Sequence, residues 1–113
     1  MILDEKHPGM IRAKTSLEVV REYLDREELL TQLAEEATEL AKAALKLRRA
    51  YSGINPTPIS SRDAFEDLME EIADVANCLS VLGFDRSIDR MRVARIGQEK
   101  MTRWATRLEE RHG

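Results

Sequence analysis

Several features that would mark particular protein classes are missing or scarce in this sequence of 113 residues. There is one cysteine, Cys78, so an intrachain disulfide cannot form and a zinc site made of several cysteines is excluded. Aromatic residues are only 4% of the chain, which leaves mainly aliphatic side chains to form a core. No apolar run approaches the roughly 18 residues of a membrane-spanning helix, so no membrane partner is expected.

Signals for export and for nucleic-acid binding are also lacking. The first residues, MILDEKHPGMIRAKTS, contain no apolar signal core, and we therefore expect a cytoplasmic protein. The formal net charge is −3, which is the wrong sign for binding through phosphate contacts, so no nucleic-acid partner is expected. The length suits one domain with one core. We predict an extended arm over 1–15 and a single domain over 16–113.

Helical periodicity dominates the rest of the chain. Asp25 followed by Glu28 has the form of a capping box, which predicts a helix from there to about residue 50. After the loop YSGINPTPISS, a second long helix is predicted from about residue 61 to Gly83. Ser16 is expected to cap a short helix before the first long one.

The last helical segment is predicted from about residue 85 to about residue 110. Its apolar positions before and after Gly97 do not lie on one line, so we expect a kink or break there. No segment has the alternation of a strand. The predicted fold class is all-α: a helical bundle of two long antiparallel helices plus a kinked C-terminal helix, assembled as an oligomer.

Each long helix combines an apolar stripe with acidic residues. The expected core stripes are Leu29, Leu33, Leu40, Ala44 and Leu47 on the first, and Phe65, Leu68, Ile72, Val75, Leu79 and Leu82 on the second. At 100° per residue, Glu36 and Glu71 lie about 60–75° from the centres of these stripes. Glu39 and Asp74 follow them at i+3 on the same flank.

A short connection favours antiparallel packing, and equal offsets then place both acidic pairs on the same side of the interface. Two carboxylates about 5 Å apart repel by about 3 kcal/mol at an effective dielectric constant near 20. Only Glu39 has a basic residue three or four positions away, namely Lys42. Oxygen ligands without cysteine or histidine favour Mg²⁺, or Mn²⁺, as the ion that relieves this repulsion. The alternative is a pair of solvated acidic flanks.

These two segments, EEATE at 35–39 and EEIADVAN at 70–77, resemble the MazG-like branch of the all-α NTP pyrophosphatases. The family pattern E-x-x-E followed by E-x-x-D fits Glu36, Glu39, Glu71 and Asp74, which the resemblance implies are the metal-binding and catalytic residues. It implies a Mg²⁺-dependent hydrolysis of a nucleoside triphosphate to the monophosphate and pyrophosphate. It also implies a homodimer or homotetramer, which the apolar surface of the long helices independently favours.

Substrate contacts are expected from three further residues. Asn77 lies three residues beyond Asp74, and in proteins of the family that the chain resembles the residue at this position often helps to place the nucleotide or a metal-bound water. A polar residue at the boundary of the core is an equal interpretation. Lys100 and Arg103 are the candidates for the β- and γ-phosphates, against a simple solvated basic face. Trp104 could stack on a base or belong to the core.

Two other functions stay open at this point. Phosphoribosyl-ATP pyrophosphohydrolases share the double acidic motif, but they usually carry Tyr-His where this chain has Asn77 and Cys78. A non-catalytic helical interaction or regulatory module would use the acidic flank to contact a partner. The base and the sugar of a substrate are not specified by any motif.

Overall fold

Four α-helices form in the part of the chain that the computed structural model describes, residues 2–3, 11–53 and 59–113. They are α1 (Ser16–Tyr23), α2 (Arg26–Ser52), α3 (Ser61–Leu82) and α4 (Ser87–His112). The predicted all-α class is confirmed. None of the helices in these ranges is long and apolar enough to cross a membrane.

The N-terminal segment contains a short strand pairing that the sequence pattern did not predict. β1 (Ile2–Leu3) pairs antiparallel with β2 (Ile11–Arg12), with Ile2 opposite Arg12 and Leu3 opposite Ile11. The expectation of no strand is therefore wrong at this place. Two residues are too few to show the alternation by which a strand is recognised. Most of the predicted arm, residue 1 and residues 4–10, lies outside the described residues.

Capping side chains determine where α1 and α2 begin. The Asp25 side chain accepts a hydrogen bond from the Glu28 N–H, and the Glu28 side chain accepts one from the Asp25 N–H, as the capping box predicts. α1 has the same arrangement between Thr15 and Glu18, so its cap is Thr15 and not Ser16. The reason is that Thr15 has its glutamate at the third position, which closes both hydrogen bonds.

Glycines in the left-handed conformation mark the ends of the two long helices. Gly53, with φ of 71°, is the C-cap of α2, and its N–H donates to the carbonyl of Arg49. Gly83, with φ of 85°, follows the last residue of α3. Residues with a Cβ rarely adopt this left-handed backbone conformation, whereas glycine adopts it without steric cost and is therefore common directly after a helix.

α2 and α3 form an antiparallel pair that makes up most of the first compact unit, residues 1–82. The Nζ atom of Lys46 lies 3.1 Å from Oδ2 of Asp67, whereas Glu36 approaches Glu71 and Asp74. Later residues of α2 therefore meet earlier residues of α3, which establishes the antiparallel direction. α1 packs on α3 in the same unit.

The contact between α2 and α3 follows one narrow seam on each helix. Buried and half-buried positions recur at alternating steps of four and three residues, which is the spacing of coiled-coil seams. On α2 they are Leu29, Leu33, Glu36, Leu40, Ala43, Leu47 and Ala50, and on α3 they are Ala64, Leu68, Glu71, Val75, Cys78 and Leu82. Two carboxylates thus occupy the middle of an otherwise apolar seam.

A second apolar stripe, one position later on each helix, remains exposed. On α3 it contains Phe65, Met69, Ile72 and Leu79, and on α2 it contains Leu30, Ala34, Ala37, Ala41 and Ala44. The predicted core stripes were therefore wrong in part, since Ala44 on α2 and three of the six predicted residues on α3, Phe65, Ile72 and Leu79, face away from the seam. When a helix has two adjacent apolar stripes, the centre of its apolar face lies between them. Hydrophobic periodicity locates only that centre, so it does not show which of the two stripes is buried.

Arg21 joins α1 to the C-terminal end of α3. Its Nε atom donates to the carbonyl of Val81 at 2.8 Å, and its Nη2 atom donates to the carbonyl of Ser80 at 3.1 Å. The last carbonyls of a helix have no partner inside the helix and carry partial negative charge. The Arg21 guanidinium donates hydrogen bonds to two of these carbonyls, and its positive charge interacts favourably with their partial negative charge.

The second compact unit, residues 83–113, consists mainly of α4. α4 runs without interruption from Ser87 to His112, so the break predicted near Gly97 does not occur. A single glycine inside a helix lowers its stability but does not have to end it. Here ten helical residues precede Gly97 and fifteen follow it, which outweighs that local cost.

Replacing Gly97 by alanine should stabilise the protein. A Cβ at this position meets no heavy atom within 4 Å, so the methyl group adds no clash. We expect the free energy of unfolding of α4 to rise by roughly 0.5–1 kcal/mol because alanine loses less backbone entropy than glycine in a helix. Thermal unfolding followed by circular dichroism measures this, and a lower melting temperature would mean that Gly97 is in close contact with another molecule.

Candidate metal and substrate site

Three carboxylates converge between α2 and α3. One oxygen from each of Glu36, Glu71 and Asp74 lies within 4.8 Å of the others. The first residue comes from α2 and the other two from α3, so the site exists only when the helices are paired. The structure thus brings together three of the four acids that the sequence singled out.

Glu36 and Glu71 lie in the seam itself and not beside it. Both are half-buried, whereas Glu39 and Asp74 are exposed. The predicted displacement from the core face is therefore wrong for Glu36 and Glu71. It is correct for Glu39 and Asp74. The error has the same source as the misplaced stripes, because the exposed apolar face shifts the apparent centre of the core away from the acids.

Glu71 is the least satisfied member of this group. Its Oε2 atom is buried and accepts no hydrogen bond from the described residues. Desolvation, followed by repulsion from Asp74, Glu36, Glu39 and Glu70, raises the pKa of this carboxyl above its ordinary value of 4.5. A buried acceptor without a donor is costly unless a cation or water reaches it.

This raised pKa predicts a pH dependence of stability in the metal-free protein. In the interval above 4.5 the folded state binds more protons at Glu71 than the unfolded chain does, so stability increases as the pH falls through that interval. We expect the free energy of unfolding to rise as the pH is lowered from neutral toward 4.5, and Glu71→Gln to lose this rise. Urea unfolding at several pH values measures both proteins.

The pH range in which Glu71 changes the stability is separate from the range in which Glu18 and Glu22 do so. A hydrogen bond from Arg12 lowers the pKa of Glu18, and one from Lys14 lowers the pKa of Glu22, both from 4.5. Their contribution to stability is complete above that value and is lost only as the pH falls below it. Identical pH profiles for the wild type and Glu71→Gln would contradict the assignment to Glu71.

Two neighbours of the acidic group were not identified from the sequence. Gln32, one turn before Glu36 on α2, donates from Nε2 to Oε1 of Glu36 at 2.8 Å and so orients that carboxylate. The thiol of Cys78 is buried in the seam, and desolvation together with Glu36 and Asp74 raises its pKa. The contact of Gln32 could have been predicted from the sequence, because Gln32 lies four residues before Glu36 and therefore on the same face of the helix.

Glu39 stands at the edge of the group. It adds to the negative field at Glu71, but its Oε1 atom lies 3.2 Å from Nζ of Lys42, and it is not one of the three convergent acids. This ion pair with Lys42 matches the i+3 spacing read in the sequence. Glu39 would have to release Lys42 to join the other carboxylates.

A charged groove continues from the acidic group along the polar side of the helix pair. It encloses about 350 Å³. Its walls are Glu39, Lys42, Ala43, Lys46 and Arg49 of α2 and Asp67, Glu70 and Glu71 of α3. Most of these residues precede a seam position by one, so the polar groove and the exposed apolar stripe lie on opposite sides of the seam.

The remaining candidates lie on α3 and α4. Asn77 is exposed and precedes the buried seam residue Cys78, which places it on the polar side with Asp74. Lys100 and Arg103 are exposed on α4, in the second unit. They line a depression of about 590 Å³ together with Gly97, Met101, Trp104 and Arg107. Trp104 is 55% exposed, so it is not a core residue of that unit.

Comparison of the chain with protein-family models, with curated proteins and with solved structures finds no match. The resemblance to MazG-like proteins therefore depends on the motif residues alone. Any functional argument has to come from the geometry and chemistry of the groups described above.

The acidic group has the chemistry of a site for a small hard cation. All of its potential metal-ligand atoms are carboxylate oxygens, the type of ligand that Mg²⁺ and Mn²⁺ prefer. Oxygens bound to one Mg²⁺ at about 2.1 Å lie at most about 4.2 Å apart, so small side-chain rotations suffice to close the group. The buried Oε2 of Glu71 is the atom that would gain most from a cation.

Proposed function

We propose that the protein is a Mg²⁺-dependent nucleotide pyrophosphohydrolase that converts a nucleoside triphosphate and water to the monophosphate and pyrophosphate. One observation carries the proposal, namely the convergence of Glu36, Glu71 and Asp74 in a seam where Glu71 has a buried oxygen without a donor. An apolar pair of residues would pack better at these positions, so a function is the economical reason to keep acids there.

The acids would hold Mg²⁺, or Mn²⁺, through Glu36, Glu71 and Asp74, with Glu39 as a fourth acid at the margin. A cation bound there supplies charge neutralisation of phosphate oxygens and activation of water. Gln32 would keep Glu36 in its orientation through the hydrogen bond at 2.8 Å. Asn77 would contact the nucleotide from the same side of α3, and Lys100 and Arg103 of α4 remain candidates for contacts to the phosphates.

The decisive experiment is a hydrolysis assay over a panel of ribo- and deoxyribonucleoside triphosphates and phosphoribosyl-ATP, with and without Mg²⁺. The expected products are monophosphate and pyrophosphate in equal amounts, which excludes a simple phosphatase. Turnover of phosphoribosyl-ATP alone would favour that related activity instead. No hydrolysis of any member, with binding retained, would assign the site to a regulatory nucleotide-binding protein.

We also propose that the protein works as a homodimer or homotetramer. The support is the exposed apolar stripe, in which Phe65, Met69 and Ile72 are 44%, 48% and 46% exposed. Leaving such surface in water costs about 25 cal/mol per Å². In a contact with a second copy, the large side chains of this stripe on α3 would act as knobs, and the spaces above the alanines on α2 would act as holes.

A charge placed in this stripe should separate the copies. We expect light scattering of the wild type to give a multiple of the 12.9 kDa chain mass. Met69→Glu should shift the mass toward 12.9 kDa, because a carboxylate at the centre of the contact would be desolvated without a partner. Glu66→Gln, an exposed change on the same helix, is the control. A wild-type mass of one chain at micromolar concentration would contradict the proposal.

A further inference from the structure

The groove beside the acidic group contains a row of cations that the acidic motif does not explain. Lys42, Lys46 and Arg49 are spaced by four and three residues, so they lie on one line of α2 along the groove. They belong to the same compact unit as Glu36 and Glu71, and they follow these acids toward the C-terminal end of α2. A chain that needed only a metal site would not require this row.

The present partners of the two lysines are easy to exchange. Lys42 contacts Glu39 at 3.2 Å and Lys46 contacts Asp67 at 3.1 Å, and all four side chains are between 41% and 69% exposed. Exposed ion pairs of this kind contribute little to stability, so a ligand that offers stronger acceptors can replace the carboxylates. Phosphate oxygens are such acceptors because each phosphate presents several of them to one ammonium group.

Distances along the helix select which of the cations a triphosphate could reach. With a rise of about 1.5 Å per residue, Lys42 lies about 9 Å and Lys46 about 15 Å from Glu36 along the axis of α2. Arg49 lies about 20 Å from Glu36 by the same measure. The side chains of both lysines can bend toward the acids, whereas Arg49 marks the far end of the groove.

We propose that Lys42 and Lys46 bind the β- and γ-phosphates of the substrate in the groove between α2 and α3, an inference that rests on the proposed function. The triphosphate would then lie along the polar side of the seam, with the α-phosphate nearest to the three convergent acids. The groove contains four carboxylates and three cations, so it accepts an anion only when a metal ion offsets the acids. Binding of the phosphates is therefore linked to binding of the metal.

Inorganic tripolyphosphate is the probe that isolates this subsite, because it carries the phosphates without base or sugar. Titration calorimetry with Mg²⁺ present should show binding that disappears when the metal is removed. Lys42→Gln and Lys46→Gln should each weaken binding roughly tenfold, and Arg49→Gln should weaken it less. Arg48→Gln is the matched control, since Arg48 is an exposed cation that follows the seam residue Leu47 and so lies on the apolar side.

A second readout separates ligand binding from a structural role of the lysines. Affinity for a nucleoside monophosphate, which lacks the β- and γ-phosphates, should be the same in the wild type and in both lysine variants. If Lys100→Gln and Arg103→Gln weaken tripolyphosphate binding while Lys42→Gln and Lys46→Gln do not, the inference is overturned and the proposed hydrolysis still stands. Metal-dependent tripolyphosphate binding that needs both lysines, in a protein without hydrolysis of any nucleotide, would support the subsite and refute the proposed reaction. No binding of tripolyphosphate by the wild type overturns the inference.

Discussion

Glu36→Gln, Glu71→Gln and Asp74→Asn should each reduce nucleotide hydrolysis by about 10² or more. Each substitution removes one charged ligand from a group whose oxygens lie within 4.8 Å of one another, and it changes the side-chain volume very little. The loss of a few kcal/mol of charge stabilisation at a metal site corresponds to a factor of that size. Steady-state rates at saturating Mg²⁺ measure the effect.

The folded state should survive these substitutions, which makes the result interpretable. A glutamine or asparagine in the seam removes repulsion among the acids, and the helical signal in circular dichroism should be unchanged. Glu66→Gln, the same chemical change at an exposed position of α3, should leave hydrolysis at the wild-type level. Full activity in all three site variants would exclude the acidic group as the catalytic site.

Glu39→Gln distinguishes a site of three acids from one of four. Because Glu39 is engaged by Lys42 at 3.2 Å and stands outside the convergent group, we expect a smaller loss, about tenfold. A loss as large as that of Glu71→Gln would mean that Glu39 leaves Lys42 and joins the other ligands when metal and substrate bind.

The second large effect concerns stability, and Mg²⁺ or Mn²⁺ should raise the melting temperature substantially. An ion that binds only the folded protein adds about 2.7 kcal/mol at 100 times its dissociation constant. For a chain of this length that corresponds to about 10 °C or more. The physical source is the relief of repulsion at Glu71, whose buried Oε2 has no hydrogen-bond donor among the described residues.

The control for this experiment is ionic strength, because salt alone screens surface charges. NaCl at matched ionic strength should give a much smaller shift than MgCl₂. Glu71→Gln should melt higher than the wild type without metal and respond weakly to its addition. An unchanged melting temperature at millimolar Mg²⁺ and Mn²⁺ would remove the metal site and with it the main support for the proposed reaction.

Much of the helical layout was available from the sequence because helix ends depend on local chemistry. The Asp25–Glu28 capping box and the glycines at 53 and 83 act within a few residues of each terminus, so their effects can be recognised without knowing the fold. The pairing of the acidic helices was also correctly inferred. A short connection and matched i, i+3 spacing were enough to bring residues of α2 and α3 together.

The sequence by itself thus determined the all-helical class, the ends of α2 and α3 and three acids that meet between them. Tertiary structure decided which of two adjacent apolar stripes became the seam, because burial depends on the neighbouring helix and not on the helix's own periodicity. That choice moved Glu36 and Glu71 from the flank into the seam and left Phe65, Met69 and Ile72 exposed. It also formed the groove in which Lys46 faces Asp67 across 21 residues of chain, a contact that no local pattern encodes.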